Sequence, residues 1–327
     1  MIPFTFIRTA TTDAAIKEGS LKASKYLAGG TNLIDLMKLD IEKPGRLVDI
    51  NHLSLNKIEA GTNGSLLIGA LVKNTALAYH PEILKRYPVI SQAVLSGASA
   101  QLRNMASTGG NILQRTRCYY FYDTAFPCNK REPGSGCSAI TGYNRNHALL
   151  GTSEACIATH PSDLCVAFIM MDATVHLQGP KGQRKVLFSE FHRLPGNTPQ
   201  IENVLLPGEL ITAVEIPALH YSSRSHYLKL RDRASYEFAL CSAAVALDIQ
   251  GGKIVQAKIA MGGVGTKPWR AYAAEKVLMG SSVSDDRFRA AAEAALSEAK
   301  PHKYNGFKID LSKRTLIRAL TTTSEIA

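Results

Sequence analysis

The 327-residue sequence predicts an α+β fold in two parts, divided near residue 220. Helix and strand signals alternate on both sides of that point without any internal repeat. A chain that is 45% hydrophobic and 20% charged is also long enough to fill two cores. Between residues 101 and 153 the periodicity fades into a connection of a length that is usually functional or disordered.

Taken in order, "TDAAIKEGSLKAS" has a helical pattern, "KYLAGG" ends an apolar strand, "NLIDLMKLDI" reads as a helix and "GRLVDI" as a short strand, together a compact βαβ-like unit. "SLLIGALV" is a strand. "TALAYHPEILKRYPVISQAVLSGAS" is expected to form two helices broken at Tyr87-Pro88, because the residue before proline avoids the helical region. After the long connection, "DLCVAFIMMDATVHLQG" reads as a buried helix ending near Asp172 and then a strand reaching the turn signal Gly179-Pro180. "GELITAVEIP" is a strand closed by Pro217, and "YSSRSHYLKLRDRAS" is a junction. "FALCSAAVALDIQGGKIVQAKIAMGGVG" predicts a hairpin turning at Gly251-Gly252. "DDRFRAAAEAALSEAK" is an amphipathic helix with Asp285 and Asp286 at its positive end, and "RTLIRALTTT" is a closing helix.

No run of about 18 apolar residues is present, so no membrane span is expected. The opening "MIPFTFIRTATTDAAIKEG" lacks a basic segment followed by an apolar one, so no signal peptide of the chain's own is expected either. Six cysteines are too few to staple a protein of this size, which favours a reducing compartment during folding. The formal charge of +11 suits nucleic acid, anionic phosphate ligands or an acidic partner. Basic residues form no single long run, which weakens the nucleic-acid reading.

Two glycine-rich turns stand out. "YLAGGTNL" (Tyr26 to Leu33) lies between an apolar strand end and a helix start, where successive backbone N–H groups can bind phosphate oxygens. "STGGNIL" (Ser107 to Leu113) is expected to repeat that chemistry. One Gly-Gly pair is usually only a tight turn; two suggest a dinucleotide. Neither matches the Rossmann or P-loop pattern.

In order and spacing, "AGGTNLIDLMK", "LRNMASTGGNIL", "THPSDLCVAF", "LKLRDRASYEFALCSAAVAL" and "GGVGTKPWRAYAAEKVLMG" resemble the FAD-binding subunit of the xanthine dehydrogenase and molybdenum hydroxylase family over nearly the whole chain. The resemblance within that family is strongest to the flavin subunit of bacterial heterotrimeric, periplasmic aldehyde oxidoreductases. It implies a two-part FAD-binding domain of the PCMH/vanillyl-alcohol-oxidase-like type over residues 1–220, with a cysteine-rich insertion at about 114–157. A smaller α/β domain of the CO dehydrogenase flavoprotein type would follow over residues 221–327. FAD would be held by Tyr26, Leu27, Ala28, Gly29, Gly30, Thr31, Asn32 and Leu33 in the first turn, and by Ser107, Thr108, Gly109, Gly110 and Asn111 in the second. Asp163, Lys229 and Tyr236 would complete the site, with Phe238 nearby. Two positions depart from the family pattern: Asn32 and Glu237 both stand where aspartate is usual. Bland readings stand beside these: Asp163 as a helix cap, Lys229 as a solvated charge, Tyr236 and Phe238 as strand core.

"CYYFYDTAFPCNKREPGSGC" and the residues after it carry Cys118, Cys128, Cys137 and Cys156, while Cys165 and Cys241 fall in apolar patterns and read as core thiols. Nine, eight and eighteen residues separate the four, without the close pair usual in zinc ribbons, so disulfide, zinc and iron–sulfur readings all remain open on spacing alone. The resemblance implies that these four ligate a [4Fe–4S] cluster. Arg115, Arg117, Lys130 and Arg131 would offset thiolate charge, face an acidic partner or form a solvated rim, and Tyr119, Tyr120, Phe121 and Tyr122 would exclude water or anchor the loop.

By the same resemblance, a large molybdenum-cofactor subunit would oxidise an aldehyde to a carboxylic acid. A small subunit with two [2Fe–2S] clusters would pass electrons to FAD on this chain, which would deliver them to an external acceptor, with no catalytic residue of its own for the aldehyde. Its compartment would be the periplasm, reached folded with a signal-bearing partner, or the cytoplasm. The competing readings are a free-standing flavin oxidase or reductase and a basic zinc-binding nucleic-acid module; the latter leaves both glycine turns unexplained.

Overall fold

The computed structural model describes residues 1–326. Strands β1 (Thr5–Arg8), β2 (Ser24–Leu27) and β3 (Arg46–Asp49) form a parallel sheet in the order β1-β3-β2. Parallel strands need crossovers, supplied by α1 (Thr12–Gly19), capped by the Thr11 hydroxyl, and α2 (Leu33–Lys38). Ala15, Ile16, Val48 and Ile50 pack under the sheet against Leu71 and Leu210 of the second layer. The end of β2 therefore delivers "AGGTN" to the crevice beyond the carboxyl ends of the strands, the usual ligand position in such a unit.

An antiparallel sheet follows: β4 (Ile58–Ala60), β5 (Leu66–Gly69), β6 (Thr174–Gly179), β7 (Gly182–Leu187) and β8 (Leu210–Ile216), in the order β4-β5-β8-β6-β7. Between β5 and β6 run α3 (Asn74–Ala78), α4 (Pro81–Arg86) and α5 (Pro88–Ser96). The sequence suggests two helices here, and there are three. Pro81 starts an additional one just as Pro88 does, because proline is preorganised for the first helical turn. The stretch expected to be loop holds α6 (Ala100–Met105), α7 (Thr108–Ile112), α8 (Tyr119–Tyr122) and α9 (Ser138–Thr141), each too short to show a 3.6-residue period. Next, α10 (Asp163–Met170) is buried all round from Leu164 to Met170, as its unbroken apolar run requires. The short α11 (Phe188–Phe191) follows β7.

A third, antiparallel sheet comprises β9 (Ser225–Leu230), β10 (Cys241–Gln250), β11 (Lys253–Gly262) and β12 (Trp269–Arg270), in the order β12-β11-β10-β9. Gln250 pairs with Lys253 across Gly251 and Gly252, whose φ values of 56° and 75° are what a two-residue hairpin turn demands. Against this sheet lie α12 (Tyr272–Leu278), α13 (Asp285–Ala295) and α14 (Phe307–Ser324), the last starting well before the "RTLIRALTTT" segment. Residues on β10 share the core of this layer through Val245 and Leu247 and the core around α10 through Ala244 and Ala246. Among the described residues, no helix is long and apolar enough to cross a membrane.

Candidate functional site

A cleft of about 810 Å³ opens between the three layers, within the range of cofactor pockets. Its floor is the first glycine turn. The N–H groups of Gly29, Gly30, Thr31 and Asn32 find no acceptor among the described residues, so they are available to an anion at the start of α2. Gly29 is obligatory on packing grounds, since a Cβ there would lie 2.1 Å from the Met105 carbonyl oxygen. Gly30 sits at φ 73°, a conformation that disfavours side chains. The Asn32 side chain accepts the Arg115 N–H at 2.9 Å through Oδ1, and its enclosed Nδ2 has no partner. That orphan donor beside free backbone donors fits a phosphate-bearing ligand. Tyr26 closes one end by donating its hydroxyl to the Gly208 carbonyl at 2.8 Å, and burial pushes its phenol up to about 12.

The second turn works differently from expectation. Residues 108–112 are a capped helix, not an open cradle: Thr108 donates both N–H and hydroxyl to the Val72 carbonyl, Gly109 N–H goes to Ala70, Gly110 N–H to the Ser107 hydroxyl and Asn111 N–H to the Ser107 carbonyl. Its backbone donors are spent. Thr108 is fully buried and does not line the cleft, whereas Ser107, Gly109, Gly110 and Asn111 do. What this segment offers is the bare glycine surface and the Asn111 side chain, whose Oδ1 accepts from the Ser162 hydroxyl and the Gln114 amide.

Asp163 is not the cap of α10; Ser162 is, accepting the Cys165 N–H. The Asp163 carboxylate instead accepts from Lys229 at 2.8 Å and from the Tyr227 hydroxyl at 2.6 Å. Lys229 is no solvated charge, with only 3% of its side chain exposed, and it also donates to the Ser96 carbonyl. Burial, followed by the Asp163 charge, holds the Tyr227 phenol well above its ordinary value. Tyr236 and Phe238 are not strand residues: they stand on the loop between β9 and β10, exposed at the cleft rim, Tyr236 at φ 53°. Arg233 pairs with Glu237 within this loop. Sequence reasoning missed Arg103, Gln114, Arg117, Ile201 and Leu206, which also line the cleft. Arg103 stands inside the motif "LRNMASTGGNIL" and Arg117 reads in the sequence only as a charge near the thiols, whereas Gln114, Ile201 and Leu206 lie in no motif and nothing local marks them.

The four cysteines of the insertion face one another. Cys118, Cys128, Cys137 and Cys156 all line a single small void of about 10 Å³, and all six thiols of the chain are free, which removes the disulfide reading. Cys128 and Cys137 are bridged through their backbones, and Asn129 pins the loop between them by accepting the N–H groups of Gly134 and Gly136. Burial pushes the Cys118 thiol up to about 12 and the Cys156 thiol to about 11, and raises Cys137. Opposing that burial, backbone N–H groups of Phe121 and Tyr120 approach the Cys118 sulfur, those of Ala139, Ile157 and Ile140 that of Cys137, and that of Ala158 that of Cys156. Such donors favour thiolates over thiols. Cys165 and Cys241 are buried core residues.

The basic residues of the insertion are not a free rim. Arg115 bridges Glu42 and Glu202, Lys130 pairs with Glu202, Arg131 donates to the Tyr120 and Phe121 carbonyls, and Arg117 lies over the rings of Tyr122 and Phe238. Of the aromatic run, only Phe121 is fully buried, packing on Cys128 and Leu36, while Tyr119 is largely exposed. Arg117 lines the glycine-turn cleft and its neighbour Cys118 lines the thiol void, so the two sites abut.

A glycine turn with free donors, continued by a long cleft to a buried carboxylate–lysine pair, suits an elongated, phosphate-bearing cofactor. The family described as FAD binding domain in molybdopterin dehydrogenase matches residues 3–219, and the CO dehydrogenase flavoprotein C-terminal domain matches residues 226–323. The aldehyde oxidoreductase FAD-binding subunit PaoB of Escherichia coli is 49% identical over 322 residues, 98% of each chain. The glyceraldehyde dehydrogenase medium chain of Sulfolobus acidocaldarius is 28% identical over 91% of this chain and 89% of its own. Reconstituted CO dehydrogenase from Oligotropha carboxidovorans contains a chain of the same fold, with a TM-score of 0.77 at 24% identity and full coverage of both chains. The chain belongs to the FAD-binding subunits of the molybdenum hydroxylase family, oxidoreductase subunits whose cofactor is FAD.

Proposed function

We propose that this chain is the flavin and iron–sulfur subunit of a heterotrimeric aldehyde oxidoreductase, taking electrons from [2Fe–2S] clusters on a small subunit and passing them to an external acceptor. Aldehyde oxidation would occur on a large molybdenum-cofactor subunit. The observation that carries this is the 49% identity, over 98% of both chains, to an aldehyde oxidoreductase FAD-binding subunit. FAD, when bound, supplies exchange between two-electron and one-electron chemistry. The chain's own part is positional: Gly29 to Asn32 donate N–H groups to the cofactor's phosphates, Asn32 adds a side-chain donor, and Asn111 and Ser107 face the middle of the cleft. The Asp163–Lys229 pair orients the inner end, and the aromatic loop at Tyr236 and Phe238 covers it.

A [4Fe–4S] cluster at Cys118, Cys128, Cys137 and Cys156 is part of the same reading. It is supported by four sulfurs facing one void under backbone donors. Among the described residues, no three of these sulfurs lie within 4.8 Å of one another, whereas a single zinc ion with bonds of about 2.3 Å gathers its ligands more tightly. A cube of iron and sulfide suits a wider set. The sequence resemblance implies export in folded form with a signal-bearing partner, the cytoplasm being the alternative, and cell fractionation decides between the two.

The test is anaerobic addition of an aldehyde to the complete complex and to the isolated chain. Flavin bleaching in the complex alone supports a subunit fed by its partners. Bleaching of the isolated chain would point to a free-standing flavin enzyme instead.

A further inference from the structure

Lys308, on α14, is wholly buried and has no carboxylate partner among the described residues. Its ammonium donates to two backbone carbonyls, that of His147 at 2.9 Å and that of Gly263 at 2.6 Å. Burial without an acidic partner lowers its pKa to about 7, so a negative group beyond those carbonyls would favour its charged form. The residue that Lys308 holds lies against a sulfur of the proposed cluster site. His147 is itself buried and fixed at the backbone, its N–H donating to Asn144 and its carbonyl also accepting from Asn305. Its ring places Nε2 at 3.1 Å from the Cys118 sulfur, and Nδ1 is enclosed without a partner. With its sulfur ligating iron, Cys118 would have no proton to give, and Nε2 would donate the hydrogen of that contact.

We propose that His147, held in place by Lys308, is a positioning and tuning pair that raises the reduction potential of the cluster at Cys118, an inference that rests on the cluster reading above. A hydrogen bond to a ligating sulfur and a nearby buried cation both stabilise the added electron. The location gives the tuning a purpose. Cys118 and His147 line a cavity of about 200 Å³ together with Asp163, Glu237 and Phe238 of the flavin cleft, so the tuned ligand is the one on the flavin side.

The experiment is a dithionite potentiometric titration of the full, iron-loaded chain, followed by electron paramagnetic resonance, for the wild type, His147→Leu, His147→Gln and Lys308→Met. His147→Leu and Lys308→Met are each expected to keep flavin and lower the cluster's reduced-to-oxidised ratio at fixed potential about tenfold, equivalent to ~59 mV for one electron. His147→Gln, which retains a donor, is expected to titrate with the wild type, and the flavin potential is expected to stay put in all four. Iron-loaded His147→Leu and Lys308→Met proteins that titrate with the wild type would overturn the inference. If His147→Leu loses iron, Lys308→Met, which does not touch a sulfur, decides the matter by the same criterion. A wild-type chain that holds no iron overturns the cluster reading and the tuning together, and is told apart by the absence of a cluster signal in every variant.

Discussion

The flavin cleft and the thiol void abut at Arg117 and Cys118, yet they are made of opposite materials. The cleft is built from main chain: its distinctive groups are the unpaired N–H donors of Gly29 to Asn32, and glycine is needed because Met105 comes so close. The thiol void is built from side chains converging from residues 118, 128, 137 and 156, with the backbone in a supporting role. A backbone site is compact in sequence and asks little of the side chain at position 32, where the Asn32 Oδ1 accepts the Arg115 N–H. A side-chain site is dispersed and stands or falls on each ligand.

The largest expected effect tests the inner end of the cleft. Lys229→Met leaves the Asp163 carboxylate buried without its cation and is expected to cost about 3–5 kcal/mol, read as a lower urea midpoint; a midpoint within error of the wild type would mean that the pair is solvated. Acid attacks the wall between the two sites. His192, whose ring donates to the Ile112 carbonyl of α7, borders a small void that Cys156 also lines, and burial depresses it from the ordinary 6.5 to about 4. The unfolded chain therefore binds the proton first, so the contribution of His192 to stability is complete above pH 6.5 and is lost progressively as pH falls to about 4. Unfolding curves between those limits should show this loss, and His192→Phe should blunt it.

A smaller effect separates the two glycine turns. Gly29→Ala forces the turn away from Met105 at a cost of about 1–3 kcal/mol, expected as a tenfold or greater loss of flavin affinity. Ser107→Ala removes a helix cap worth about 1 kcal/mol and is expected to lower stability while leaving flavin affinity within a few-fold. Severe flavin loss in Ser107→Ala would show that the second turn does cradle phosphate after all.

This contrast also explains what the sequence revealed. The hairpin at Gly251-Gly252, the helix at Asp285 and the first glycine turn are written in adjacent residues, and each was legible. The second turn has the same letters as the first, but its N–H groups are consumed by the carbonyls of Ala70 and Val72, acceptors that come from a distant strand end. Proximity of four cysteines was legible as composition, while their convergence was carried only by the resemblance. His147 and Lys308 meet across 161 positions, and no local pattern announces a contact of that range. Helices α8 and α9 escaped notice because four residues cannot display a period.

The central claim, that one chain holds a flavin and a cluster side by side, is tested most directly by an anaerobic absorption spectrum of the purified protein with flavin, iron, sulfide and zinc assayed on the same sample, for the wild type and Cys128→Ser. The account predicts flavin bands over a broad iron–sulfur shoulder, about four irons per flavin, and loss of iron but not flavin in the variant. Flavin without iron in protein purified so as to protect a cluster, or zinc in its place, would contradict it.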